Sequence, residues 1–97
     1  MNRERLLSVL RVHLQEMQRL FGVRRLALFG SAARDEMRRD SDVDILVAFE
    51  VAPTFDNYMD LKAYLERLLG TGVDLVTEAG LKARMRLIIE KDLVHVA

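Results

Sequence analysis

Two aspartates separated by one residue are the first groups in the sequence that could do chemistry. Asp42 and Asp44 lie in a run where Val43, Ile45 and Val47 recur at every second position, the pattern of a β-strand. Period-two geometry points both carboxylates to one side, with Cα atoms about 7 Å apart. Because two such charges 4 Å apart repel by roughly 4 kcal/mol at an effective dielectric of about 20, the pair predicts a bound cation. The alternative for a lone Asp-x-Asp is two solvated carboxylates at the mouth of a strand.

A phosphate site is the second candidate. Gly30 and Ser31 stand where a predicted strand gives way to a helix, so unpaired backbone N–H groups and the positive end of the helix dipole converge there. Gly30 lets the backbone approach a ligand without a Cβ, and the Ser31 hydroxyl can donate to a phosphate oxygen. Taken alone, the pair also fits a plain turn with a helix cap.

The apolar periodicity and the turn residues predict the elements that position these groups. They alternate as α-β-α-β-α-β-α-β. Helices are predicted over 6–21, from 31 to about 39, over 55–69 and over 81–89, and strands over 26–29, 42–49, 73–77 and 93–96. The sequence therefore predicts an α+β fold, with one domain spanning residues 1–97.

The lengths of the connections predict how the strands pair. Only a short helix separates strand one from strand two, so these strands run antiparallel, and Ser31 and Asp42 face one cleft. A full helix joins strands two and three, the connection expected for a parallel pair. The starts of strands two and three then lie at the same end, which places Asp74 beside Asp42 and Asp44. The prediction is a mixed sheet with a short fourth strand and flanking helices.

Three carboxylates beside a phosphate site are the groups that a two-metal phosphoryl transfer requires. We expect Asp42 and Asp44 to hold two Mg²⁺ ions, and Asp74 to bind one of them near the attacking hydroxyl and to act as base. In-line attack at the α-phosphorus of a nucleoside triphosphate would release pyrophosphate. Arg34, one turn after Ser31, could neutralise the departing phosphates, although an exposed helix arginine is an equal alternative.

Composition narrows the classes of function. Fifteen basic and fifteen acidic residues give a formal net charge of zero, which argues against general nucleic-acid binding. Without cysteine, any metal must be held by oxygen or imidazole. No apolar run approaches the roughly 20 residues of a membrane span, and we expect a cytoplasmic protein. Val9 and Val12 on the first helix could form an interface with a partner or a second copy in a homo-oligomer.

The stretch Leu28-Phe29-Gly30-Ser31-Ala32-Ala33-Arg34, followed by Ser41-Asp42-Val43-Asp44, resembles the DNA polymerase β-like nucleotidyltransferase superfamily. Its signature is Gly-Ser, about ten residues and then Asp-x-Asp, and here ten positions, 32–41, intervene. Within the superfamily the chain is similar to the minimal nucleotidyltransferases, or MNT domains. The resemblance covers nearly the whole chain. It implies a mixed sheet, Gly30 and Ser31 at the nucleotide phosphates, and Asp42, Asp44 and Asp74 on metal.

The resemblance also implies a biological role. It implies an antitoxin that transfers AMP from ATP to a tyrosine of a partner HEPN-domain toxin. One departure from the family is Asp35, where relatives usually carry Gly, and it predicts an extra negative charge near the triphosphate. Two alternatives remain: an antitoxin or regulatory subunit that binds nucleotide and neutralises its partner without turnover, and transfer to an antibiotic or tRNA. The last fits poorly, because the sequence shows no separate acceptor domain.

Overall fold

The computed structural model describes residues 2–96 of the chain. A four-stranded sheet is its central element. The elements in chain order are α1 (Arg3–Val12), α2 (Leu14–Phe21), β1 (Val23–Leu28), α3 (Gly30–Ala33), β2 (Val43–Phe49), α4 (Phe55–Leu69), β3 (Val73–Thr77), a 3₁₀ turn (Glu78–Gly80), α5 (Ala83–Glu90) and β4 (Val94–His95).

The strands lie in the order β3-β2-β1-β4. β1 pairs antiparallel with β2, β2 pairs parallel with β3, and the two-residue β4 pairs antiparallel with β1. The predicted mixed sheet, its strand directions and its short fourth strand are therefore confirmed. β1 begins three residues earlier than predicted, at Val23, because Gly22 ends α2 in the left-handed conformation and the chain enters the sheet at once.

Alternation along the strands gives the sheet two unlike faces. Val43, Ile45 and Val47 of β2 turn to the face that α1, α2 and α4 cover, where they are fully buried in the main hydrophobic core. The intervening residues Asp44 and Leu46 turn to the other face, which we call the site face. Burial of Val43, Ile45 and Val47 on one face of the sheet thus fixes the register of β2, and this register places the Asp44 carboxylate on the site face.

The first helix was predicted as one continuous element, but the structure divides it into α1 and α2. It is interrupted at His13, whose Nδ1 lies 2.9 Å from the Val9 carbonyl oxygen and so occupies the acceptor that the His13 backbone N–H would use in a continuous helix. Val9 packs against the core, whereas Val12 is 75% exposed. Of the two valines predicted to form an apolar surface, only Val12 does so.

The helix after Gly30 is also shorter than predicted. It ends at Ala33, six residues before the predicted end, because Asp35 adopts the left-handed conformation at φ 60°. The N–H of Glu36 donates to the carbonyl of Ser31 (2.8 Å) and the N–H of Asp35 to that of Ala32 (3.3 Å), the paired bonds of a Schellman motif. The residues that lead to β2 are therefore a loop.

Side chains form hydrogen bonds with backbone groups at both edges of the sheet. At β3, the Tyr58 hydroxyl donates to the Leu75 carbonyl, and Glu66 Oε2 accepts from the Val73 N–H at 3.1 Å. Beyond β4, Arg11 Nε donates to the Val96 carbonyl at 2.7 Å. These contacts reduce the capacity of the edges to pair with another chain. No helix among residues 2–96 combines the length and apolar character needed to cross a bilayer.

Candidate active site

Gly30 is where the backbone approaches the carboxylates most closely. It has φ 64°, a conformation that glycine adopts without strain, and a Cβ built on it would lie 2.2 Å from Asp44 Oδ2. The Phe29 N–H just before it donates to the Asp44 carbonyl at 3.0 Å, which holds the end of β1 against the start of β2. The predicted phosphate site at Gly30 and Ser31, which we call the cradle, thus lies against the Asp44 carboxylate at Gly30.

Ser31 follows in the first turn of α3 and is half-buried. The first N–H groups of a helix have no partner within the helix, so the N–H groups of this turn can donate to a bound anion. The hydroxyl of Ser31 adds a donor at the same edge of the sheet. The structure places Gly30 and Ser31 in the single turn of α3, beside the start of β2.

The three predicted carboxylates converge at one end of the parallel pair. Asp44 and Asp74 are direct partners in the register of β2 and β3, so both side chains lie on the site face. Asp42 immediately precedes β2 and lies beside Gly72, where an added Cβ would be 2.4 Å from Asp42 Oδ1. The Val43 N–H donates to the Gly72 carbonyl at 2.9 Å and holds these two segments together.

Electrostatics at Asp44 reflect this convergence. The pKa of Asp44 is raised, first by its partial burial, then by the negative charge and the adjacent side chain of Asp74, and then by the charge of Asp42. The positive charge of Arg34 lowers it in part. The negative charge of Asp44 is thus opposed by its surroundings, which is what a carboxylate that binds a cation requires.

The donor atoms suit a hard divalent cation. Carboxylate oxygens are the ligands that Mg²⁺ takes in proteins, and the pKa of Asp44 is raised by two other acidic groups. Within residues 2–96, no three Asp, Glu or His side chains are already arranged as a metal cage. The chemistry of these carboxylates fits a metal site.

Comparison with known sequences identifies the family. The sequence profile described as the nucleotidyltransferase domain matches residues 10–96, which include every predicted site residue. The chain belongs to this family. A relative from Thermococcus cleftensis named protein adenylyltransferase MntA is 43% identical over 93 residues, 96% of this chain and 94% of the relative. A Methanocaldococcus jannaschii relative assigned as a protein adenylyltransferase is 40% identical over 92 residues, 92% of each chain.

Solved structures show the same nucleotidyltransferase fold. A structure assigned as a minimal nucleotidyltransferase is 40% identical, with a TM-score of 0.82 over 97% of this chain and 95% of its own. A toxin–antitoxin crystal structure with AMP-PNP is 21% identical, with a TM-score of 0.73 over 100% of this chain and 73% of that one. At this identity the likeness shows the fold alone. The chain is thus a nucleotidyltransferase in both sequence and fold.

Arg34, predicted to meet the phosphates of the nucleotide, is held by two carboxylates. Its Nη1 donates to Asp92 Oδ2 at 2.8 Å and its Nε to Glu36 Oε2 at 3.2 Å, and these bonds raise the pKa of Arg34. The positive charge still acts on Asp44. Arg34 therefore lies within electrostatic range of the candidate site, and its side chain is exposed, as the alternative held, but paired with two carboxylates.

Asp35 was expected to place a negative charge near the triphosphate, but its carboxylate is engaged elsewhere. Asp35 Oδ1 accepts the N–H of Arg3, the first residue of α1, at 2.9 Å, and Arg3 Nη1 donates to the Ala33 carbonyl at 3.0 Å. The negative charge thus lies at the positive end of the α1 dipole. Glycine adopts the left-handed φ of this position without strain, which fits the glycine that the family resemblance implies here.

We expect Asp35→Asn to leave nucleotide affinity within about twofold of wild type, because the carboxylate is directed to α1. Asparagine tolerates the left-handed conformation and can accept the same hydrogen bond, so the stability loss should not exceed about 1 kcal/mol. Titration with an ATP analogue and thermal denaturation would measure both quantities. Severalfold tighter nucleotide binding by the variant would show that the charge of Asp35 does oppose the triphosphate.

Three residues near the site were missed by sequence reasoning. Gly72 was interpreted only as a break before β3, and Glu36 and Asp92 were given no role. Gly72 carried a usable signal, since it immediately precedes a strand whose second residue, Asp74, is a predicted metal ligand. Asp92 carried no such signal, because it is 58 residues from Arg34 and no local sequence pattern links the two residues.

Proposed function

We propose that this nucleotidyltransferase transfers AMP from ATP to a tyrosine hydroxyl of a partner HEPN-domain toxin and neutralises the toxin by doing so. The observation that carries the proposal is the meeting of Asp42, Asp44 and Asp74 with the Gly30-Ser31 cradle at one end of the sheet. The 43% identical relative named protein adenylyltransferase MntA supports the choice of reaction. We further propose that the reaction takes place in the cytoplasm, where ATP is available.

The partner is suggested by structural neighbours. A complex of a tri-AMPylated Shewanella oneidensis HEPN toxin with an MNT antitoxin contains a chain that is 17% identical, with a TM-score of 0.68 over 94% of this chain and 71% of that one. In that complex the modification is AMPylation and the partner is a HEPN toxin. We propose the same modification and the same class of partner for this chain, and the shared fold supports both.

The proposed chemistry assigns a role to each residue. The backbone at Gly30 and the Ser31 hydroxyl bind phosphate oxygens of ATP and orient the α-phosphorus. Asp42 and Asp44 would hold two Mg²⁺ ions, with Asp74 as a ligand of one of them. When bound, the ions would neutralise charge on the phosphates and lower the pKa of the acceptor hydroxyl.

The proposed reaction forms one bond to the α-phosphorus and breaks another. The tyrosine oxygen attacks the α-phosphorus, the bond between that phosphorus and the oxygen bridging to the β-phosphorus breaks, and pyrophosphate leaves. Asp74 accepts the proton of the tyrosine hydroxyl. Arg34 supplies positive charge as the pyrophosphate departs.

Incubation with ATP labelled at the α-phosphate, Mg²⁺ and a HEPN protein encoded beside this chain tests the proposal directly. We expect label to appear on a tyrosine of the HEPN protein, and EDTA to abolish transfer because metal ions neutralise the reacting phosphates. A γ-labelled ATP control should leave the protein unlabelled, since that phosphate departs in pyrophosphate. Absence of α-label transfer by a folded sample would contradict the proposed reaction.

Two other functions are outcomes of the same test. An Asp42→Ala variant that neutralises the HEPN protein fully would indicate a binding antitoxin that needs no turnover. Robust turnover on an antibiotic or tRNA without any partner would indicate a different acceptor. We favour protein modification because the relatives from Thermococcus cleftensis and Methanocaldococcus jannaschii are both described as protein adenylyltransferases.

A further inference from the structure

The turn after α5 reaches back to the nucleotide cradle through one side chain. Asp92, two residues beyond the end of α5, binds Arg34 Nη1 at 2.8 Å, and Glu36 binds Nε of the same guanidinium at 3.2 Å. The Asp92 side chain is 33% exposed and that of Arg34 is 43% exposed. Such a pair at the surface contributes little to stability, so fold stability alone gives little reason for it.

The two carboxylates leave part of the guanidinium available. Arg34 has five N–H donors, of which Asp92 and Glu36 use one on Nη1 and the one on Nε. Within residues 2–96, Nη2 makes no hydrogen bond to a protein atom. The arginine can therefore keep both carboxylates and still donate to an incoming phosphate.

Holding the arginine in advance matters because its side chain is long. A free arginine loses rotamer freedom when it binds a phosphate, and that loss weakens binding. An arginine already fixed by two hydrogen bonds has lost this freedom before the ligand arrives. Arg34 caps α3 three residues beyond Ser31, and its N–H donates to the Gly30 carbonyl at 3.1 Å, so it is fixed next to the proposed triphosphate site.

We propose that Asp92 is a positioning residue that holds Arg34 so that its Nη2 can bind the polyphosphate of the nucleotide. This inference rests on the proposed function. It makes the segment after α5 part of the nucleotide site, although it contributes no residue that touches the reacting atoms. It also predicts different outcomes for Asp92→Ala and Asp92→Asn, because asparagine keeps a hydrogen-bond acceptor and alanine does not.

The experiment measures binding of the α,β-methylene analogue of ATP with Mg²⁺ by calorimetry, without any acceptor protein. We expect Asp92→Ala to weaken binding about tenfold, and Asp92→Asn to stay within about twofold of wild type. In transfer assays Asp92→Ala should raise the KM for ATP and leave kcat within about twofold. Glu90→Ala is the matched control, since it removes an exposed carboxylate from the end of α5 that is not bonded to Arg34.

A double-mutant cycle with Arg34→Ala separates positioning from charge. If Asp92 acts through Arg34, adding Asp92→Ala to Arg34→Ala should cause no further loss of binding. Tighter binding by both Asp92→Ala and Asp92→Asn would overturn the inference, because Asp92 would then oppose the nucleotide through its charge. Equal binding by wild type and Asp92→Ala would also overturn it and leave the proposed function intact. A wild-type chain that binds no analogue would contradict the proposed function and this inference together.

Discussion

We expect Asp44→Asn to abolish nucleotidyl transfer and at the same time to make the metal-free protein more stable. Asp44 is the carboxylate on which the charges of Asp74 and Asp42 converge, and it touches the cradle at Gly30. An amide cannot replace an anionic metal ligand, so transfer should fall on the order of 10³-fold. Transfer of α-labelled AMP measures the loss.

The gain in stability follows from the sign of the pKa shift. Because the pKa of Asp44 is raised, the folded protein holds this proton more tightly than the unfolded chain does. Stability therefore falls as pH rises from the ordinary pKa of aspartate through the raised value, and the penalty persists at neutral pH. Asparagine removes the charge. After allowance for solvent screening we expect a gain of no more than about 1 kcal/mol, or roughly 4–8 °C in Tm.

Thermal denaturation in EDTA across acidic to neutral pH tests this second half of the prediction. The difference in Tm between variant and wild type should grow as pH rises. Addition of Mg²⁺ should stabilise wild type more than the variant, because a ligand that binds only the folded state shifts the equilibrium towards it. Asp60→Asn makes the same chemical change at an exposed position of α4 and should alter neither property. A lower Tm for Asp44→Asn at neutral pH would contradict the account of the site as a cluster of repelling carboxylates.

The strand directions could be predicted because they depend on the length of each connection. A short link between β1 and β2 favours antiparallel pairing, and the helix between β2 and β3 favours parallel pairing. The meeting of Asp44 with Asp74 follows from these directions together with alternation along each strand. Their direct pairing in register adds to that prediction, since the sequence placed them only at the same end of the sheet.

The errors arose where one side chain or backbone angle overrides a periodic pattern. His13 lies on the apolar stripe of the first helix, and its spacing gives no sign that its ring takes the carbonyl of Val9. The left-handed conformation of Asp35 ends α3 early, although aspartate adopts it less readily than glycine. The bond between Arg34 and Asp92 joins distant parts of the chain and depends on the finished fold.

We expect Gly30→Ala to reduce transfer by about 100-fold, the effect of displacing a reacting group by roughly 1 Å. The added Cβ would lie 2.2 Å from Asp44 Oδ2, so the carboxylate must move away from the cradle. The left-handed φ of 64° adds a backbone cost of about 1–2 kcal/mol for alanine. Transfer rates and thermal denaturation would be measured on the same samples.

Two other glycines separate the backbone cost from the contact at Gly30. Gly22 has φ 71° with nothing within 4 Å of an added Cβ, so Gly22→Ala should lose similar stability and keep its transfer rate. Gly72 has the opposite combination, with no left-handed φ and an added Cβ 2.4 Å from Asp42 Oδ1. Gly72→Ala should therefore lose transfer with a smaller loss of stability. Equal loss of transfer in Gly22→Ala and Gly30→Ala would mean that backbone strain, and not displacement of the carboxylate, disables the site.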